Sequence, residues 1–188
     1  MNHHQAPIIH WISKDQRIRV IEGDITTARV DAIVNAANRW LMPGGGVDGA
    51  IHRAAGPALA KASAKLAPIE EGEAVITPGF NLQSPFVIHA VGPIWDEDEN
   101  QQRLRQLLTQ TYVTIFDLCQ KHKIQTVAIP NISTGIYGFP KEDAATIVWD
   151  STKHFMLTNP TLLKIDFYCL DPMNIQLYKK HAEHFSNK

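Results

Sequence analysis

The sequence predicts a layered α/β domain, and three features of it carry that expectation. Short β-branched runs alternate with longer helix-like stretches along the whole chain; several runs are almost continuously apolar; and two glycine-rich segments each lie between a run and the helix after it. A strand covered by helices on both faces keeps no polar side, so an uninterrupted apolar run is what a buried, parallel strand writes into a sequence. Six segments fit: RIRVIEG (17–23), VDAIVNA (30–36), EAVITPG (73–79), FVIHAVG (86–92), TVAIPNI (126–132) and KIDFYCL (164–170).

The elements follow in order. Residues 1–16 form an N-terminal extension, and residues 17–188 a single domain, as the length prior favours for 188 residues. The extension, MNHHQAPIIHWISKDQ, lacks the basic start and apolar run of a signal peptide; His3 and His4 read as incidental residues of a fraying terminus rather than metal ligands. After the first two strands, VDGAIHRAAGPALAKASAKL (47–66) has helical character, but Pro57 directly after Gly56 predicts a break and a restart. The acidic loop WDEDENQQ (95–102) reads as a solvated turn leading into a helix. That helix, 101–123, shows a stripe of Leu104, Leu107, Leu108, Val113, Ile115 and Leu118, with Arg103, Gln106 and Lys121 off it. Two more helices are expected at 141–158 and 174–185.

Composition excludes several classes. Hydrophobic residues make up 44% and charged residues 20%, which suits a packed domain and not a disordered chain. A formal net charge of -1 supplies no long-range positive field, so there is no strong nucleic-acid signal and any anion must be held locally. Cys119 and Cys169 both sit in apolar stretches with no metal-ligand spacing, and are expected as buried thiols. No segment approaches the roughly 18 apolar residues of a membrane span, so no membrane partner and a cytoplasmic location are expected.

The two glycine segments point to the ligand. In open α/β sheets, ligands sit beyond the carboxyl ends of the strands, where loops run into helix N-termini. Gly44, Gly45 and Gly46 follow VDAIVNA and precede a helix; lacking Cβ atoms, they let a ligand reach backbone N–H groups beside the positive end of that helix. NISTGIYGFP (131–140) repeats the arrangement after TVAIP, with hydroxyls on Ser133 and Thr134 and Pro140 at a helix start. Neither segment fits the Walker or dinucleotide fingerprints. Together they suit a ligand with two phosphates clamped between them.

Five motifs then combine: GDIT (23–26), VNAAN (34–38), GGGVDGAIHRAAG (44–56), VIHAVGPIW (87–95) and ISTGIYGFP (132–140). In their order and spacing, over roughly residues 17 to 180, they resemble the macrodomain family, and within it the MacroD-like branch. The resemblance implies a three-layer α/β/α domain around a mixed, mostly parallel sheet of about six strands. It also implies ADP-ribose, a diphosphate flanked by adenosine and a second ribose, as ligand. Asp24 would then accept from the adenine amino group, which a carboxylate can do, with the Ile25 backbone nearby. Gly45, Gly46 and Val47 would form one phosphate loop, and Ser133, Thr134, Gly135, Ile136 and Tyr137 the second. Tyr137 would also pack against the distal ribose, unless it is an ordinary loop aromatic.

Asn38 and Asp48 match the pair that the family directs at that ribose, and are the expected catalytic residues. Asn35 is expected to brace the loop by bonding its backbone. His52, four residues after Asp48, shares its helix face and would hold the carboxylate or a water, or would simply pack. Two departures from the family pattern stand out: Met42-Pro43 where a further glycine is common, and Leu170 where an aromatic is common.

Two functions of different classes follow. One is a hydrolase that takes acetyl from O-acetyl-ADP-ribose, or mono-ADP-ribose from protein carboxylates, with water oriented by Asp48. The other is a reader that binds ADP-ribose on modified proteins without turnover; the Asn38 and Asp48 pair beside GGGV favours the hydrolase. No cofactor and no metal are expected.

Overall fold

Seven strands form one mixed sheet, in the order β1-β2-β7-β6-β3-β5-β4. They are β1 (Ile8–Ile12), β2 (Ile18–Glu22), β3 (Ala32–Ala36), β4 (Ala74–Pro78), β5 (Phe86–Ala90), β6 (Thr126–Pro130) and β7 (Lys164–Cys169). The computed structural model describes residues 5–159 and 164–186; His3 and His4 lie outside the described residues. The five inner strands run parallel, and each edge strand, β1 and β4, pairs antiparallel with its neighbour.

The helices are α1 (Gly46–Ala55), α2 (Pro57–Ala64), α3 (Gln101–Lys121), α4 (Lys141–Thr158) and α5 (Pro172–Ser186), with a 3-10 turn at Ile25–Thr27. The break expected at Gly56-Pro57 is present. Gly56 adopts φ 82, a left-handed conformation that ends α1, and Pro57 then opens α2 at a position where its missing N–H costs nothing. Asn100 starts α3 by accepting from the Arg103 N–H at 3.1 Å.

Two apolar clusters cover the two faces of the sheet. On one face Ile51, Ala55 and Leu59 of α1 and α2 meet Ile21, Ile33, Val87 and Ala128 of the strands. On the other, α3, α4 and α5 pack over Val20, Val34, Ile88, Ile129 and Phe167. That is the three-layer arrangement.

Two expectations need correction. The sheet has seven strands rather than six, because Ile8–Ile12, inside the segment read as an extension, pairs with β2. Its run IIHWI is as apolar as FVIHA of β5, but it lies in the segment set aside as a fraying terminus; its isoleucines are exposed and the register shifts between Ile9 and Trp11, so it is an edge strand held mainly by pairing. On α3, Val113 is 37% exposed, and the buried stripe instead passes through Thr111, Tyr112, Phe116 and Cys119. Tyr112 and Thr111 were passed over because a polar atom hid their share of apolar contact.

Candidate active site

Strands β3 and β6 are neighbours, and both glycine loops leave from their carboxyl ends. A cavity of about 330 Å³ opens between them, lined by Asn38, Gly44 to Asp48, Gly92, Asn131 to Ser133 and Gly135 to Tyr137. The first loop runs straight into α1 with Gly45 as its N-cap, and no side-chain cap is present among the described residues. The earliest backbone bond of that helix is Gly49 N–H to Gly45 carbonyl, 3.1 Å. The N–H groups of Gly46, Val47 and Asp48 therefore have no partner within the helix and stand at its positive end.

The second loop is folded more tightly. Ser133 takes φ 65, rare for a residue with a side chain, and its carbonyl accepts from Phe139 N–H at 2.9 Å. Its Oγ is buried and finds no hydrogen-bond partner among the described residues. Trp95 N–H ties the loop to the segment after β5 by donating to the Tyr137 carbonyl at 2.8 Å. Burial, then the charges of Glu71 and Asp48, raise the pKa of the Tyr137 phenol, which stays protonated. Ile136 lines the cavity with its side chain wholly exposed.

Asp48 is the charged group of the cavity and is only 5% exposed. Its Oδ2 accepts from Gly44 N–H at 2.5 Å, and its Oδ1 from Asn35 Nδ2 at 2.7 Å. His52 Nε2 stands 3.5 Å from Oδ1, beyond a good hydrogen bond, and neither ring nitrogen has a hydrogen-bond partner among the described residues. Fixed on both oxygens, the carboxylate still keeps free lone pairs for a water.

Asn35 departs from its expected role. It is fully buried and bonds the Asp48 side chain and His89 Nδ1, the latter at 3.2 Å, instead of the loop backbone. Asn38 does the bracing: its Nδ2 donates to Met42 carbonyl at 2.8 Å, and its Oδ1 accepts from Trp40 and Met42 N–H groups at 3.1 and 3.4 Å. One Nδ2 proton of Asn38 remains for a ligand.

Asp24, Ile25, Asn35 and Thr134 are not among the lining residues. Asp24 caps the 3-10 turn, its Oδ1 accepting from Thr26 N–H and Oγ1 at 2.9 and 2.7 Å, while the Ile25 side chain is buried beneath. Thr134 Oγ1 accepts from Asn174 Nδ2 at 3.3 Å. Of the departures from the family pattern, Met42 and Leu170 are both exposed, and Asp171 beside Leu170 is ion-paired with Lys141. Sequence reasoning passed over His89, Thr77 and Gly92. The first two were detectable as polar residues inside apolar strands, the third only as a glycine at a strand end.

Among the described residues no cluster of three His, Cys, Asp or Glu side chains could hold a metal, and no helix is long and apolar enough to cross a membrane.

Two glycine loops and one buried carboxylate thus line a strand-end cavity of an α/β domain, with backbone N–H groups of the first loop left without partners inside the helix that follows. The Macro domain family model matches residues 34–148. The chain is 48% identical over 170 residues to O-acetyl-ADP-ribose deacetylase 1 of Pantoea vagans, covering 88% of this chain and 98% of that protein. It is 46% identical over 164 residues to a macro domain-containing protein of Methanosarcina mazei, covering 87% of each. Among solved structures, the Oceanobacillus iheyensis macrodomain with MES bound superposes with a TM-score of 0.84 at 34% identity, covering 97% of this chain and 98% of that one. A Trypanosoma brucei macrodomain in complex with ADP-ribose gives 0.82 at 33% identity, covering 89% and 69%. The protein belongs to the macrodomain family.

Proposed function

We propose that the protein is an ADP-ribose-binding hydrolase that removes acetyl from O-acetyl-ADP-ribose, mono-ADP-ribose from protein carboxylates, or both. The pyrophosphate takes the N–H groups of Gly45, Gly46 and Val47 on one side and the loop Ser133, Thr134, Gly135, Ile136 and Tyr137 on the other. Preorganised backbone donors suit an anion because no side chain need be ordered for the purpose. Asp24 accepts from the adenine amino group beside Ile25, and Tyr137 lies along the distal ribose. The spare Nδ2 proton of Asn38 holds a ribose hydroxyl.

The observation that carries this reading is the Asp48 carboxylate, fixed by Gly44 and Asn35 at the cavity wall. A carboxylate there orients a water and accepts its proton as the oxygen attacks the ester carbonyl; acetate leaves and the ribose hydroxyl is restored. Its burial supports the role, since water exclusion strengthens each polar contact with the attacking oxygen. Relatives that bear the name O-acetyl-ADP-ribose deacetylase, and solved macrodomains holding ADP-ribose, support the substrate class.

The test compares initial rates on O-acetyl-ADP-ribose and on carboxylate-linked ADP-ribosylated protein, with and without Asp48→Ala. The variant is expected to lose turnover while ADP-ribose affinity stays within about tenfold, or about 1.4 kcal/mol. Unchanged turnover removes Asp48 from the mechanism. A wild-type protein that binds ADP-ribose and hydrolyses neither substrate is a reader.

A further inference from the structure

Behind Asp48 runs a file of polar side chains sealed within the sheet. Asn35 on β3, His89 on β5 and Thr77 on β4 occupy three adjacent strands and are 0%, 0% and 4% exposed. Asn35 and His89 are direct cross-strand partners. Their strands, AIVNA, FVIHA and AVITP, are otherwise apolar apart from proline, and a polar group buried among such residues is unfavourable unless it is bonded.

The bonds fix every proton in the file. Asn35 Nδ2 can only donate; one of its protons goes to Asp48 Oδ1 at 2.7 Å and the other to His89 Nδ1 at 3.2 Å. His89 Nδ1 must then carry a lone pair, so the ring proton is on Nε2 and is donated to Thr77 Oγ1 at 2.9 Å. Thr77 in turn donates to the Pro78 carbonyl at 3.1 Å. Moving the ring proton to Nδ1 would break the bond to Asn35 or turn its amide over. A turned amide sets oxygen against the Asp48 carboxylate.

We propose that His89, oriented by Thr77, is a positioning residue that holds the Asn35 amide with its nitrogen toward Asp48 and so keeps the carboxylate aimed into the cavity. This rests on the reading of Asp48 as the group that orients water. In this orientation Asn35 Oδ1 is buried and has no hydrogen-bond partner among the described residues. The groups facing the His89 ring are Asn35 from β3, Thr77 from β4 and His52 from α1, the last with its ring centroid 6.4 Å away. Burial first, and then the nearby His52, lower the His89 pKa from 6.5 to about 4, so the ring is neutral at pH 7 as the file requires.

The experiment measures kcat and KM on O-acetyl-ADP-ribose for His89→Leu, His89→Asn and Thr77→Val, and reads the ring tautomer of His89 in the ligand-free wild-type protein by nitrogen-15 NMR. Asn at position 89 returns an acceptor oxygen near the place of Nδ1. The expected result is a loss of about tenfold or more in kcat for His89→Leu with KM within about twofold, largely restored by His89→Asn. Thr77→Val, which frees the tautomer, falls between. Equal losses in the Leu and Asn variants, or a change confined to KM, would overturn the proposal. Should His89→Leu not fold, Thr77→Val and the spectrum decide: an Nε2-protonated ring supports the file, an Nδ1-protonated ring overturns it. A wild-type protein that hydrolyses nothing overturns the proposed function alone, and the tautomer still judges the file.

Discussion

Gly92 sits where β5 has just ended, and a single added methyl there tests how the second glycine loop is held. A Cβ built on Gly92 would fall 2.6 Å from Ile132 Cγ2 and well inside contact of Ser133 Oγ. The serine can turn its hydroxyl away by rotating its side chain. Ile132 cannot, because it is 1% exposed and branched at Cβ, so the backbone of the loop has to shift instead. Overpacking of this kind costs about 1–3 kcal/mol, and for a domain of this size each kcal/mol lowers the melting temperature by about 2–4 °C. The shift displaces Ser133, already held at φ 65, and with it the loop that lines the cavity. Gly92→Ala is therefore expected to melt about 2–12 °C lower and to bind ADP-ribose about tenfold or more weakly, the latter read by titration calorimetry. Gly135→Ala is the control: a Cβ there meets nothing within 4 Å, so its melting temperature should match the wild type. A Gly92→Ala protein with unchanged melting temperature and unchanged affinity would refute the close approach of Gly92 to Ile132 and Ser133.

Other expectations follow from buried ionisable groups. His89 has its pKa lowered from 6.5 to about 4, chiefly by burial, so between those values the unfolded chain binds a proton that the folded chain does not. Its contribution to stability is complete above pH 6.5, fades as pH falls toward 4, and amounts to about 3 kcal/mol. Urea titrations from pH 7 to 4 should show a flatter profile for His89→Asn than for wild type, and identical profiles would contradict the assignment. Cys119 and Cys169 are buried, and burial pushes both thiols up to about 12. Neither should be alkylated by iodoacetamide at pH 7 until the protein is unfolded; rapid labelling of the native protein, seen by mass spectrometry, would show that the strand and helix covering them open readily.

What the sequence disclosed was whatever depends on local backbone demands. The glycine loops were legible because only bare backbone lets a ligand reach N–H groups, and the Gly56-Pro57 break because each residue has a fixed conformational preference. The six runs were legible because burial on both faces leaves a continuous apolar signature, as in Val34 and Ile88. β1 carries an apolar run too, IIHWI, but its place within the first 16 residues put it with the fraying terminus; only the assembled sheet shows it as an edge strand, paired with β2 and with Trp11 meeting Trp149 edge-on at 6.0 Å. The role of Asn35 was hidden for a different reason. Its partners, Asp48 on α1 and His89 on β5, are distant in sequence and come together only when the sheet is assembled. The same holds for Gly92, whose need to be glycine is set by Ile132 and Ser133 on the loop after β6.

Asp48 is held by so many contacts that replacing it changes more than a reacting group. It lies in the first turn of α1, where a negative charge favours the helix by about 0.3–1 kcal/mol, and its Oδ2 also ties down Gly44. Asp48→Ala thus loosens a glycine loop as well as removing the carboxylate. Asp48→Asn keeps the shape, yet its amide must present a donor to either the Gly44 N–H or the Asn35 Nδ2, one donor against another. A loss of activity in either variant therefore mixes chemistry with the geometry of the anion site. Thr77→Val avoids both effects, because Thr77 neither bonds Asp48 nor lines the cavity, and its hydroxyl, bonded to His89 and the Pro78 carbonyl, reaches the carboxylate through His89 and Asn35. If its kcat falls while ADP-ribose affinity and melting temperature stay near wild type, the fall reports the aim of the carboxylate, separated from the cradle that binds the phosphates.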